Sequence, residues 1–153
     1  MATTAQRFAD FSLPATGGLN FQFSAQRGHA LLLYFYPKDS TPGCTMEAAQ
    51  FRDLHAQFSA LGCAIFGISR DSLKMHENFK AKLSLPFELL ADCDEIACQL
   101  FGVIKMKKMY GKEVRGIERS SFLFDGDGVL RREWRAVKSD GHAAEVLAAV
   151  QSI

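Results

Sequence analysis

Apolar positions fall into two rhythms along the chain. Residues 30–36 (Ala-Leu-Leu-Leu-Tyr-Phe-Tyr) form an unbroken apolar and aromatic run stopped by Pro37, as expected of a strand covered on both faces and lying mid-sheet. Residues 63–68 (Cys-Ala-Ile-Phe-Gly-Ile) make a second such run and 87–90 a shorter third. Between the first two, Phe51, Leu54, Phe58 and Leu61 recur at three- and four-residue intervals. That spacing predicts a helix over 45–60 with one buried stripe, ended by Gly62. Asp71 or Ser72 is placed to cap a further helix reaching residue 82, and a short helix is expected over 94–101.

The shorter patterns complete the outline. Segments 8–13 and 19–23 alternate and are separated by Pro14 and Gly17-Gly18, which predicts an N-terminal β-hairpin. Residues 105–116 read as a polar loop. Residues 120–124 and 129–134 flank Asp125-Gly-Asp-Gly128, a strong hairpin signal, and 141–151 closes the chain as a helix with Val146, Leu147 and Val150 inward. Strands alternating with helices define an α/β chain, with a central mixed β-sheet flanked by helices on both faces. A thioredoxin-like fold is compatible with this pattern, which by itself does not select it among three-layer α/β folds and says nothing of function. With no repeat, linker or low-complexity tract, residues 1–153 are expected to form one domain.

Composition narrows the function classes. Apolar residues make up 48% of the chain and charged ones 23%, a balance that supports a sizeable core. Eighteen Lys and Arg against 17 Asp and Glu leave a net charge of +1, too weak a field to imply nucleic acid or an acidic membrane surface. The first residues lack an apolar leader, and the run at 30–36 is far too short to cross a bilayer. The expectation is a soluble, cytoplasmic protein whose four cysteines are reduced thiols, any disulfide being catalytic or transient.

The stretch most loaded with chemistry is Phe35-Tyr-Pro-Lys-Asp-Ser-Thr-Pro-Gly-Cys-Thr-Met-Glu47. A buried strand runs into a Pro-rich loop that delivers Cys44 to the first turn of a helix. Unpaired N–H groups and the positive end of the helix dipole stabilise a thiolate there, so Cys44 reads as an activated nucleophile.

Pro37-x-x-x-Thr41-x-x-Cys44 resembles the active-site motif of the peroxiredoxins, and Thr-Pro-Gly-Cys-Thr-x-Glu-Ala is similar to that of their bacterioferritin-comigratory, or peroxiredoxin Q, subfamily. The likeness continues through Gly67-Ile-Ser-Arg-Asp-Ser72, Pro86-Phe-Glu-Leu-Leu90, Phe101-Gly-Val-Ile104, Met109-Tyr-Gly-Lys112 and Gly116-Ile-Glu-Arg-Ser-Ser-Phe-Leu123, nearly the whole chain. The resemblance implies a thioredoxin-like fold, reduction of hydrogen peroxide and organic hydroperoxides, and a role in antioxidant defence and redox homeostasis. It also implies thioredoxin or glutathione with glutaredoxin as reductant, no metal or organic cofactor, and a monomer.

By motif position, the resemblance makes Cys44 the peroxidatic cysteine, which becomes a sulfenic acid, and Thr41 and Arg119 the activating residues. Pro37, Pro42 and Gly43 would shape the pocket, and Glu47 would orient the arginine. Attack on an O–O bond needs in-line alignment and stabilisation of the departing oxygen. The Thr41 hydroxyl, the N–H groups of Gly43 and Cys44, and the guanidinium of Arg119 are the groups expected to supply them. Ser121 stands where the subfamily usually has Thr.

A sulfenic acid must condense with a thiol or risk over-oxidation. The subfamily's usual resolving positions are Ala49 and Lys80 here. Cys63 begins a buried strand, whereas Cys93 and Cys98 read either as small packing residues or as resolving thiols. A strand 87–90 parallel to 30–36 would bring Cys93 out at the same sheet edge as the Cys44 loop. The balance favours an external thiol, with Cys93 and Cys98 as internal alternatives.

The remaining candidates have plain readings. Cys93-x4-Cys98 lacks a second ligand pair, so no metal is expected. His29, His55, His76 and His142 are scattered and read as solvated or capping side chains. Lys105, Lys107, Lys108, Lys112 and Arg115 read as a solvated basic loop, docking of an acidic reductant being the alternative. A thiol–disulfide oxidoreductase would need Cys-x-x-Cys, but position 41 is Thr. A non-enzymatic peroxide sensor would keep Cys44 as well.

Overall fold

The computed structural model describes residues 6–153, the Met109 side chain excepted. The chain opens with strands β1 (Ser12–Ala15) and β2 (Leu19–Gln22), followed by β3 (Ala30–Phe35), helix α1 (Pro42–Ala60) and β4 (Cys63–Ser69). Helix α2 (Leu73–Leu83), β5 (Glu88–Ala91) and α3 (Ile96–Leu100) come next. Strands β6 (Ile104–Met109), β7 (Lys112–Ile117), β8 (Ser120–Phe124) and β9 (Leu130–Trp134) and helix α4 (His142–Val150) complete it. Seven strands make one mixed sheet in the order β2-β1-β5-β4-β3-β8-β9, and β6 and β7 form a separate ribbon. Strands β3, β4 and β5 are parallel, and β8 runs antiparallel to β3. No helix among the described residues is long and apolar enough to cross a membrane.

Strand alternation divides the core into two layers. Leu32, Tyr34 and Tyr36 join Ile65, Leu89 and Leu123 on the face covered by α1, α2 and α4, through Phe51, Phe58, Phe79, Val146 and Leu147. Leu31, Leu33 and Phe35 join Ile68, Leu90 and Phe122 on the opposite face, which α3 and the N-terminal segment cover with Cys98, Phe101, Phe11 and Phe23. Each fully buried Phe or Leu contributes about 1.5–3 kcal/mol. At Gly67 in β4 a Cβ would lie 2.9 Å from the side-chain ends of both Tyr34 and Leu89, so any larger residue there forces the layer to shift.

Three expectations need correction. The first strand lies at Ser12–Ala15 rather than 8–13, and Pro14 pairs with Asn20 inside it. Phe8 and Phe11 serve as packing rings instead, Phe8 stacked on Phe101 at 4.4 Å and Phe11 on Phe23 at 5.2 Å. Helix α1 starts three residues before the predicted residue 45, with Pro42 in its first turn, where the missing N–H costs nothing. Its buried face carries Cys44, Glu47, Ala48, Phe51 and Phe58, whereas Leu61 is exposed. Residues 105–116 are not a loop but the β6–β7 ribbon, turned by Tyr110 and Gly111, both at positive φ (53° and 77°), the conformation of a two-residue hairpin turn.

Candidate active site

Parallel β3 ends at Phe35 beside the start of antiparallel β8, since Phe35 pairs with Ser120. The loop that leaves β3 toward α1 and the residue that precedes β8 therefore meet at one end of the sheet. Cys44 comes from the first and Arg119 from the second, 75 positions apart in sequence.

Cys44 is the third residue of α1 and is 1% exposed. The ladder of α1 starts with Thr45 N–H donating to the Thr41 carbonyl at 2.9 Å, so the N–H groups of Gly43 and Cys44 precede it and point out of the helix end. Arg119 Nη2 donates to Cys44 Sγ at 3.4 Å, and Nη1 donates to Glu47 Oε1 at 2.6 Å. Cys44 and Glu47 lie three residues apart on one helix face, and a single guanidinium spans both. Glu47 has no exposed surface. Burial pushes its carboxyl up and the Arg119 charge pulls it back, leaving it at about 7. Burial works against the charge of Arg119, but Glu47 and then Cys44 more than offset that and hold it further into its cationic range. The fork is thus a fixed cation beside sulfur.

Gly43 is what lets the fork approach. A Cβ there would lie 3.1 Å from Arg119 Nη2 and 3.0 Å from Ser139 Oγ. Pro37 stands half-buried at the mouth of the loop and Pro42 exposed at the helix start. Thr41 does not cap α1 with its side chain; its hydroxyl donates to the Lys38 carbonyl at 2.9 Å. The Thr41 oxygen therefore offers lone pairs, not its proton, to a molecule in the site.

The other cysteines separate cleanly. Cys63 stands at the opposite end of β4, paired with Ala30, five strand residues or roughly 17 Å from the level of Phe35. Its thiol is pushed up to about 12 by burial. Cys98 lies on α3 in the core layer of the opposite sheet face, and burial, then the Asp92 charge, raises it well above its ordinary value. Cys93 is exposed just beyond β5, at the sheet end that carries Cys44, with Sγ 3.7 Å from the Asp71 carbonyl. Lys80, at one of the usual resolving positions, is ion-paired with Glu88 at 2.6 Å.

Several groups were not legible in the sequence. Ser139 reaches the site from the loop before α4, a segment with no motif of its own. Lys107 donates to the Ile117 carbonyl at 2.5 Å. Burial lowers its ammonium, with the neighbouring Arg119 charge next, and Cys44 also acts on it. His76 and His142 are buried hydrogen-bonded residues and not solvated ones, at 0% and 3% exposure. Arg115 is paired with Glu95, which Arg70 also binds at 3.0 Å, so the basic ribbon is not wholly solvated. That pairing, Arg115 first, holds the Glu95 carboxyl down at about 2.

A seven-stranded mixed sheet flanked by helices, with a buried cysteine at a helix N-terminus under a guanidinium, defines a protein of thioredoxin-like architecture. Residues 4–133 match the AhpC/TSA family. Peroxiredoxin Bcp of Xanthomonas campestris is 50% identical over 143 residues, covering 94% of this chain and 89% of that protein. Peroxiredoxin Bcp of Bacillus subtilis is 48% identical over 142 residues, covering 93% and 90%. Among solved structures, a cysteine-to-serine form of peroxiredoxin Q from Xylella fastidiosa superimposes with a TM-score of 0.89 at 38% identity, covering 99% of this chain and 98% of that one. The bacterioferritin comigratory protein of Xanthomonas campestris, whose structures concern alkyl peroxide reduction, gives 0.88 at 49% identity over 93% and 90%. The chain belongs to the AhpC/TSA family and within it to the peroxiredoxins of the Bcp or Q group, oxidoreductases that reduce peroxides through a cysteine.

Proposed function

We propose that Cys44 is the peroxidatic cysteine and that the protein reduces hydrogen peroxide and organic hydroperoxides. The observation that carries this reading is the single guanidinium donating to both Cys44 Sγ and Glu47 Oε1. A lone pair of the Cys44 thiolate forms the S–O bond to the terminal oxygen of ROOH, and the O–O pair leaves on RO−, which takes a proton and departs as ROH. Cys44 is left as the sulfenic acid. Arg119 and the N–H groups of Gly43 and Cys44 stabilise charge on the breaking O–O bond. Thr41, its own hydrogen donated to the Lys38 carbonyl, accepts a hydrogen bond from the hydroxyl of the peroxide and aligns it. Glu47 and Gly43 hold the guanidinium in place, and Pro37 and Pro42 frame the mouth.

The sulfenic acid is then attacked by an external thiol, supplied by thioredoxin or by glutathione with glutaredoxin, forming a mixed disulfide and water; a second thiol restores Cys44. Exposure at the right sheet end makes Cys93 the internal alternative, whereas burial on the opposite face disfavours Cys98. We take the whole chain to work as one domain, a cytoplasmic monomer that guards redox balance, with neither nucleic acid nor membrane among its partners. The Cys44→Ser variant should consume no peroxide, and substantial residual turnover would sink the reading. Turnover unchanged in Cys93→Ser supports an external resolver, whereas loss of turnover with an accumulating sulfenic acid assigns that role to Cys93.

A further inference from the structure

Asp39 lies in the loop between β3 and α1, five residues before Cys44, and is 4% exposed. A carboxylate that deep needs partners on both oxygens. Oδ1 accepts from the Tyr36 hydroxyl at 2.6 Å and Oδ2 meets His76 Nδ1 at 2.7 Å. The Asp39 N–H donates to Asp71 Oδ2 at 3.0 Å, and Asp71 also accepts from the Ser69 hydroxyl. His76 comes from α2, has no exposed surface, and places Nε2 2.9 Å from the Leu90 carbonyl.

These contacts settle the proton count. A carbonyl only accepts, so His76 Nε2 carries hydrogen. With Nε2 protonated, a bare Nδ1 against a bare carboxylate would set two lone pairs together across 2.7 Å; one shared proton must lie between them. The pair is then neutral overall, which is what allows it to be buried.

The network ties one short loop to the residue that follows β3, Tyr36, and to three elements: the end of β4 through Ser69 and Asp71, α2 through His76, and β5 through Leu90. That loop contains Ser40 at φ 64°, a left-handed conformation that costs a non-glycine residue about 1–2 kcal/mol. It also delivers Thr41, whose carbonyl accepts the first hydrogen bond of the helix bearing Cys44. Arg119 and Glu47 hold the site from one side, and Asp39 and His76 hold its loop from the other.

We propose that Asp39 and His76 are positioning residues for peroxide attack: their proton-sharing contact fixes the loop that sets Thr41 and the first turn of α1 in register with Arg119. Neither residue touches the reacting atoms. The proposal rests on the reading of Cys44 as the peroxidatic cysteine.

The test measures two rate constants at Cys44, oxidation by hydrogen peroxide and alkylation by iodoacetamide, in the whole protein and in the Asp39→Ala, His76→Ala and Asp39→Asn variants. Oxidation needs an aligned pocket, whereas alkylation needs only the thiolate. In both alanine variants oxidation should slow about 10- to 100-fold while alkylation stays within about threefold. Asp39→Asn should stay within about threefold in both, because its amide oxygen accepts from Tyr36 and its amino group donates to neutral His76. Alanine variants oxidised at the wild-type rate, an Asn variant as slow as the Ala variant, or oxidation and alkylation falling together would each overturn the proposal. Should the alanine variants not fold, Tyr36→Phe removes one of the two side-chain contacts and should slow oxidation about three- to tenfold with alkylation unchanged; unchanged oxidation there overturns it as well. Wild-type Cys44 that peroxide leaves untouched would overturn both this and the proposed function, whereas fast oxidation in every variant would overturn the positioning role alone.

Discussion

Cys44 and Cys98 are a matched pair with opposite fates. Each is the third residue of a helix, and they are 1% and 0% exposed, one on each face of the same sheet. Cys44 receives a hydrogen bond from the Arg119 guanidinium. Cys98 shares its helix start with the Asp92 carboxylate, which accepts from its backbone N–H at 2.7 Å and adds to the burial that raises its thiol. On the proposed reading of Cys44, the two helix starts differ in the charge set against the sulfur, a guanidinium at one and a carboxylate at the other. At α1 the fixed cation comes from the distant link between β7 and β8, and at α3 the group that accepts from the helix start is the Asp92 carboxylate.

Removing that cation should have the largest effect. Arg119→Met is expected to slow peroxide oxidation of Cys44 about 10²- to 10³-fold, the usual loss for one fixed donor at a site of developing charge; competition kinetics against a second peroxidase would measure it. A rate within threefold of wild type would show that Cys44 owes its reactivity to the helix end alone.

The next effect is on stability. Glu47 is held at about 7, up from 4.5, so between those values the folded protein keeps a proton that the unfolded chain has released, and stability falls as pH rises. No penalty exists below the unfolded value, and it is complete above the folded one. The Glu47→Gln variant should thus gain on wild type by about 3 kcal/mol between pH ~4.5 and ~8 in urea unfolding of the reduced protein. A constant difference across that range would mean that Glu47 stays ionised throughout.

Smaller effects sharpen the comparison. Gly43→Ala, which presses on Arg119 and Ser139, should slow oxidation about three- to tenfold through a displaced fork, with little change in melting temperature. Cys98→Ala should cost about 1 kcal/mol of stability by leaving a small void, while peroxide oxidation stays at the wild-type rate. A kinetic defect there would tie the two helix ends together.

The legible part of the molecule was the part written in local pattern. The continuous runs of β3 and β4, the period of α1 and the Asp-Gly-Asp-Gly hairpin follow from neighbours in sequence, as does Cys44 at a helix start. Arg119 and Glu47 came from the family resemblance, and the structure joins them through a contact 72 positions long. The β6–β7 ribbon escaped because most of its residues on both faces are exposed, which erases the alternation that marks a half-buried strand, and because Tyr110 occupies a turn position where Asn or Gly is the usual signal. His76 escaped for a different reason: its partners Asp39 and Leu90 are 37 and 14 residues away, and no local spacing encodes a buried proton-sharing pair.

The most direct test maps every cysteine after reduced protein meets one equivalent of hydrogen peroxide and the remaining thiols are trapped. The account predicts oxidation that starts at Cys44, seen as one added oxygen or as a disulfide to Cys93, with Cys63 and Cys98 recovered as free thiols. Cys44 recovered unoxidised while Cys63 or Cys98 carries the oxygen would contradict it.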